Sequence, residues 1–218
     1  MPGGKGVPVT FGFLLYDGVE PIELAAYGVL SIARRVTREV AFFTIAPRNG
    51  VVTLANGLQI VPDYAIDHAP RCDVLIVAGG PGWEGQAQDQ KVLDFVKAAR
   101  GQSRIASLCT GAMILAASGL LAGRKATTKR QVRPPERPPI EHMQQDYPEI
   151  CVEAASVVDD GITTGGGVSL CIDTMLYLLE RELGSDIAQE TARLLEYARA
   201  WKANGQELPV LVTGRTAS

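Results

Sequence analysis

One cysteine in this sequence stands where a thiol could react. In ASLCTGAMILAASGLL, residues 106–121, Cys109 lies between a short apolar run and a small-residue pattern of helical period, and Gly111 would open that helix. A side chain at such a strand-to-helix junction sits on a sharp turn, the arrangement of a nucleophile elbow, beside the positive end of the helix dipole. That position favours the thiolate, the nucleophilic form. The competing reading is a small buried hydrophobe, the common fate of a cysteine in an apolar run. Cys72, Cys151 and Cys171 have no glycine turn after them and are read that way. A second stretch, VAGGPGW at 77–83, ends an apolar run in Gly79, Gly80 and Gly82. Bare backbone amides there can hold a developing negative charge at ~3 Å. Glycines end strands in many folds, so this run gains meaning only beside Cys109.

A thiol chemistry of this kind needs an acid or base partner. Glu23, in GVEPIELAAY, is the candidate: it follows the first apolar run by one short helical turn, between Ile22 and Leu24. If that helix packs its apolar face on a sheet, the carboxylate points to the strand ends. Equally, Glu23 is a first-turn glutamate complementing the helix dipole, a purpose Glu20 would also serve. His68 and His142 lie in polar, loop-like surroundings and are read as solvated surface residues. With two histidines and no C-x-x-C pair, neither a zinc site nor a disulfide framework is expected, and no cofactor is called for.

The elements that would position these residues follow from hydrophobic period. VTFGFLLY (9–16), EVAFFTIA (39–46), DVLIVAGG (73–80) and RIASLCTG read as buried strands. PIELAAYGVLSIARRV (21–36), QKVLDFVKAARG (90–101) and MILAASGLL read as the helices between them, with Pro21 in a first turn. VVTLANGLQIVPD suggests a hairpin, and VEAASVVDDGITTGGG suggests strands around an Asp-Gly turn. HMQQDYPEI is a short helix, and LCIDTMLYLLEREL and DIAQETARLLEYARAW are the last two. Residues 129–139, KRQVRPPERPP, read as an exposed loop and not a domain boundary. The alternation predicts one mostly parallel sheet covered by helices on both faces, which binds ligands at the carboxyl ends of its strands.

Composition narrows the function. The 218 residues, 46% hydrophobic with a net charge of −3, suit one globular domain. No apolar run approaches the ~20 residues a membrane helix needs, and the MPGGKG start has no secretion-signal core, so a cytoplasmic protein with no membrane partner is expected. Without a basic stripe, nucleic acid is not an expected partner.

Taken together, GVEPIELAAYGVL, DVLIVAGGPGW, IASLCTGAMILAASGLLAGRKATT and DDGITTGGGVSLCIDTMLYLLE, in that order, resemble the ThiJ/PfpI superfamily of the class I glutamine amidotransferase-like fold. The resemblance runs from about Val9 to about Ala200, within a single domain spanning 1–218. It implies a flavodoxin-like α/β/α sandwich, a mostly parallel central sheet and a strand-to-helix nucleophile elbow. The branch it matches best holds isonitrile hydratases and the ligand-binding halves of AraC-type regulators. By that likeness Cys109 is the reactive elbow cysteine, Glu23 its acidic partner, and the Gly80 and Thr110 amides form the oxyanion-type pocket; Gly79 and Gly166 are candidates to line the substrate pocket. A protonated Glu23 would donate a hydrogen bond to the thiolate, which makes it a proton donor and not a base. Many members carry a histidine after the ATT segment, where this chain has Lys129 and Arg130. No Cys–His dyad forms from that position, which counts against peptidase or amidase chemistry. Lys129 itself is read as a surface lysine.

The resemblance therefore implies a cysteine-dependent hydratase acting on a small electrophile such as an isonitrile. A non-catalytic small-molecule sensor, or a redox or carbonyl-stress protein, is the alternative. Because the sequence stops soon after ARLLEYARAW, direct transcription control is not expected. A two-fold dimer through the PIELAAYGVLSIA helix is expected, with a small molecule as the other partner.

Overall fold

The computed structural model describes residues 7–213. The first half reads β1 (Val9–Leu14), a 3-10 turn at Pro21–Glu23, α1 (Leu24–Val36), β2 (Val40–Ala46), β3 (Val52–Thr53), β4 (Gln59–Ile60), β5 (Tyr64–Ala65), β6 (Val74–Val77), α2 (Trp83–Gln86) and α3 (Gln90–Ala99). The second half reads β7 (Arg104–Ser107), α4 (Gly111–Ala117), β8 (Lys125–Ala126), α5 (Pro139–Asp146), β9 (Cys151–Val152), β10 (Val157–Asp159), β11 (Thr163–Gly165), α6 (Cys171–Leu183), α7 (Ser185–Leu194), α8 (Ala198–Glu207) and β12 (Val210–Val212).

The fold is an α/β/α sandwich. Its main sheet runs β12-β10-β11-β7-β6-β1-β2-β5. All neighbours in it are parallel except β10 and β11, which turn back on each other around the expected Asp-Gly turn. The central strands are apolar throughout because helices cover both of their faces. Every residue of β6 is buried, as are Phe11 to Leu14 of β1 and Ile105 to Ser107 of β7. Each large side chain among them contributes ~1.5–3 kcal/mol of burial. One helical layer joins α1, α6 and α7; the other joins α2, α3, α4 and α5. The apolar stripe of α1 (Ala26, Val29, Leu30, Ala33) is buried, with α1 packed on the chain's own α6 and α7, and the expected dimer face on this segment is left to its other positions, among them the exposed Ile22. No helix among the described residues is long and apolar enough to cross a membrane.

Three departures from the sequence reading have physical causes. The hairpin forms, but as a separate two-stranded ladder of β3 and β4, with Asn56 in the left-handed conformation that an Asn-Gly turn favours. The last predicted helix is two, broken where Glu196 takes φ +55°. Beside the break, the buried Asp173 of α6 accepts hydrogen bonds from Tyr197 Oη at 2.8 Å and Asn204 Nδ2 at 3.1 Å. Finally β12, too short to show a period, pairs in parallel with β10 and becomes one edge of the sheet.

Candidate active site

The site is built where β1, β6 and β7 end together. After β7 the chain passes through Leu108, whose N–H donates to the Val77 carbonyl at 3.0 Å, and reaches Cys109 with φ +51°. A non-glycine residue in this left-handed region carries ~1–3 kcal/mol of strain, and such residues cluster at functional sites. The turn is that tight because α4 starts against β6: a Cβ on Gly111 would lie 2.2 Å from the Val77 carbonyl oxygen. The Thr128 hydroxyl donates to the Cys109 carbonyl at 2.8 Å and fixes the far side of the elbow.

Beneath Cys109 runs the end of β6. A Cβ on Gly79 would meet Cys109 Cβ and the Thr110 nitrogen at 2.7 Å each, so only glycine lets the two turns close on one another. Gly80 follows with φ +151°; its N–H donates to Thr110 Oγ1 at 2.7 Å, and that hydroxyl donates to the Gly80 carbonyl at 3.1 Å. The Gly80 amide, expected to be an open donor, is thus engaged by Thr110. The backbone donor that acts on the sulfur is the Thr110 N–H, which pulls the thiol pKa down.

Glu23 reaches this floor from the 3-10 turn before α1. The turn is tied to the strand ends by the Glu20 N–H, which donates to the Gly79 carbonyl at 3.0 Å, and is closed on itself by the Glu23 N–H, which donates to the Glu20 carbonyl at 2.9 Å. The Glu23 side chain is 1% exposed and neither of its oxygens has a hydrogen-bond partner of full geometry. Burial raises its pKa from 4.5 to about 8; the Gly79 N–H and the Cys109 sulfur, close by, offset only part of that. At neutral pH Glu23 therefore holds its proton. The thiol departs from the sequence reading. Burial, and secondarily the Glu23 charge, push the Cys109 pKa up, and the Thr110 N–H and Lys129 do not restore it. Removal from water is the largest cause, Cys109 being 3% exposed. At neutral pH the pair is a thiol and a carboxylic acid, with two protons between them.

Cys109 and Thr110 floor a cavity of about 570 Å³. Gly80, Trp83, Lys129, His142 and Val168 are among its walls. Gly79 and Gly166, expected to line it, do not: Gly79 is covered by Cys109 and Thr110, and Gly166 faces Leu170 and the Ala155 carbonyl. The lining positions are Gly80, the residue after Gly79, and Val168, two residues after Gly166. Residues 129–138 form a loop and Pro139 opens α5, but the stretch is not simply exposed: Lys129, Val132, Glu136, Arg137 and Pro139 line the cavity, and Arg130 does not. His142, read as a solvated surface residue, stands in the cavity wall from α5, its ring edge-on to Trp83 at 6.3 Å and its Nδ1 3.3 Å from Asp146. Only the proline-rich loop's fold back over the elbow brings it there, so no local signal announced it. Among the remaining cysteines, Cys72 and Cys171 are buried and Cys151, at the start of β9, is exposed. Burial also pushes the Cys171 pKa up.

Residues 10–181 match the model of the DJ-1/PfpI family. Isonitrile hydratase of Pseudomonas putida is 34% identical over 194 residues, covering 88% of this chain and 80% of that protein. The HTH-type transcriptional regulator GbdR of Pseudomonas aeruginosa is 30% identical over 197 residues, covering 88% of this chain; the chain spans 52% of the regulator's length. A solved ThiJ/PfpI family protein from Pseudomonas syringae superposes with a TM-score of 0.75 at 26% identity, over 87% of this chain and 75% of that one. A family match across most of the sheet, from β1 to α6, together with a cysteine elbow at the end of β7, places this chain in the DJ-1/PfpI family.

Proposed function

We propose that the protein is a cysteine-dependent hydratase that adds water to a small electrophile of the isonitrile type and releases an N-substituted formamide. The observation that carries this reading is the neutral, buried Glu23 carboxyl beside the Cys109 thiol at the floor of the cavity. An isonitrile, R–N≡C, needs a nucleophile and a proton at the same carbon. Cys109 Sγ forms the C–S bond while Glu23 delivers its proton to that carbon and takes up the thiol proton, giving Cys109–S–CH=N–R. Water then adds its oxygen to the carbon and a proton to the nitrogen; the C–S bond breaks, the thiol regains its proton, and R–NH–CHO leaves. The Thr110 N–H faces the sulfur as it gains charge. No amine is expelled, so the chemistry requires no imidazole at position 129. The likeness to isonitrile hydratase supports the same reaction class.

The test is formamide release from an aliphatic isonitrile, followed by mass spectrometry, for the parent and for Cys109→Ser and Glu23→Leu. Loss in both variants is expected; parental turnover in Cys109→Ser would refute the reading. A second reading, a small-molecule binding module, draws on the likeness to the regulator GbdR and would show as saturable binding without product. A redox-sensing role is disfavoured by the raised thiol pKa, since oxidation follows thiolate character. The working form is a two-fold dimer. The exposed Val51 and Leu58 beside the hairpin strands support this, because the hairpin is bonded to residues 18 and 19 of the loop that leads to Glu23.

A further inference from the structure

We infer that Lys129 is an anion-anchoring residue that directs electrophiles bearing a carboxylate to Cys109. Its place beside the sulfur is fixed on three sides. The preceding residue, Thr128, holds the Cys109 carbonyl at 2.8 Å, and the Lys129 carbonyl accepts from the Ile140 N–H at 3.1 Å. On the third side is Gly167: a Cβ there would lie 2.7 Å from Cys109 Sγ and 2.9 Å from Lys129 Cβ, so the sulfur and the lysine stem flank one bare Cα. A larger residue at 167 would part them.

The ammonium makes no ion pair within 4.0 Å among the described residues, whereas the other cation of the wall, Arg137, is occupied by the Glu141 carbonyl and Gln145. Its charge is felt by both reacting groups, lowering the pKa of Cys109 and of Glu23. Three carboxylates also line the cavity. Glu84 and Glu136 are exposed, and Glu20 raises the Glu23 pKa against the pull of Lys129. At the sulfur, Lys129 is the cation whose charge lowers the thiol pKa. A carboxylate placed within a few atoms of the electrophilic carbon meets the free ammonium where water is scarce and the attraction is least screened. The inference rests on Cys109 as the reacting atom and is independent of whether the natural electrophile is an isonitrile.

Iodoacetate and iodoacetamide present the same carbon to a thiol and differ by one charge. Their alkylation rates at Cys109, read by peptide mass spectrometry at one pH, give a ratio in which thiol ionisation cancels; exposed Cys151 serves as the internal reference. The expected ratio of iodoacetate to iodoacetamide is about tenfold higher at Cys109 than at Cys151, as a single weakly screened charge pair supplies. Lys129→Met should bring it down to the Cys151 value, and Lys129→Arg should keep it. A ratio unchanged by Lys129→Met, with Cys109 still labelled, overturns the role of Lys129 and leaves the nucleophile standing. A parental Cys109 ratio no higher than that of Cys151 overturns the anchoring role as well.

Discussion

Glu23 is a buried acid that keeps its proton, and this sets two pH dependences of known sign. Its pKa is about 8 in the folded chain against an ordinary 4.5, so the native state binds a proton that the unfolded chain releases. The stabilisation is complete below 4.5 and is lost as pH rises to about 8, a span worth ~5 kcal/mol. Glu23→Gln removes the titration, so its melting temperature should gain on that of the parent by on the order of 10 °C between about pH 5 and about pH 9. A constant difference across that range would show that Glu23 is not held neutral. In the parent, turnover should fall as pH rises through about 8, because the carboxyl then has no proton to deliver. Glu23→Gln should be slow at every pH, since its amide fills the space and hydrogen-bonds but transfers no proton.

At the scale of elements, the site is a meeting of three strand ends whose close approach depends on what is missing from Gly79. Gly79→Ala would drive a methyl to 2.7 Å from Cys109 Cβ and the Thr110 nitrogen, both on the rigid elbow. Destabilisation of ~1–3 kcal/mol is expected in urea melts, together with a larger loss of turnover, since the displaced atom is the nucleophile's own carbon. Thr110 holds the same junction from the other strand end. Thr110→Val removes the acceptor of the Gly80 N–H and leaves that buried donor unpaired, for a loss of ~1–3 kcal/mol, while Thr110→Ser should retain the parent's stability. Equal melts for the valine and serine variants would show that the hydroxyl does not clasp the two loops.

In the whole molecule, α6, α7 and α8 supply no lining residue of the cavity and act as its scaffold. Asp173 ties α6 to α8 through Tyr197 and Asn204, and burial raises its pKa. Tyr197→Phe should lower stability by ~1–2 kcal/mol and speed amide exchange in α8, with the Cys109 alkylation rate unchanged. A change in that rate would reveal coupling between the sheet's edge and the elbow. Light scattering at micromolar concentration tests the proposed dimer; a monomer mass would reject it. Loss of the dimer on Leu58→Glu, set against its persistence on Ile22→Glu, would locate the contact on the hairpin.

Much of this was legible in the chain alone because it is local. The apolar runs of β1, β2, β6 and β7 announce buried parallel strands, the cysteine between such a run and a helix-opening glycine announces an elbow, and the spacing of Glu23 after β1 brings it to the strand ends. Hydrophobic period and glycine placement act within a few residues, so they survive in one dimension. What depends on the third dimension could not be read there. Burial at the elbow raises the Cys109 pKa, and the fold of residues 129–139 over the elbow turns Lys129 and His142 from surface residues into cavity walls. Solvation and long-range approach belong to the assembled core, and no residue's neighbours in sequence determine how much water it keeps.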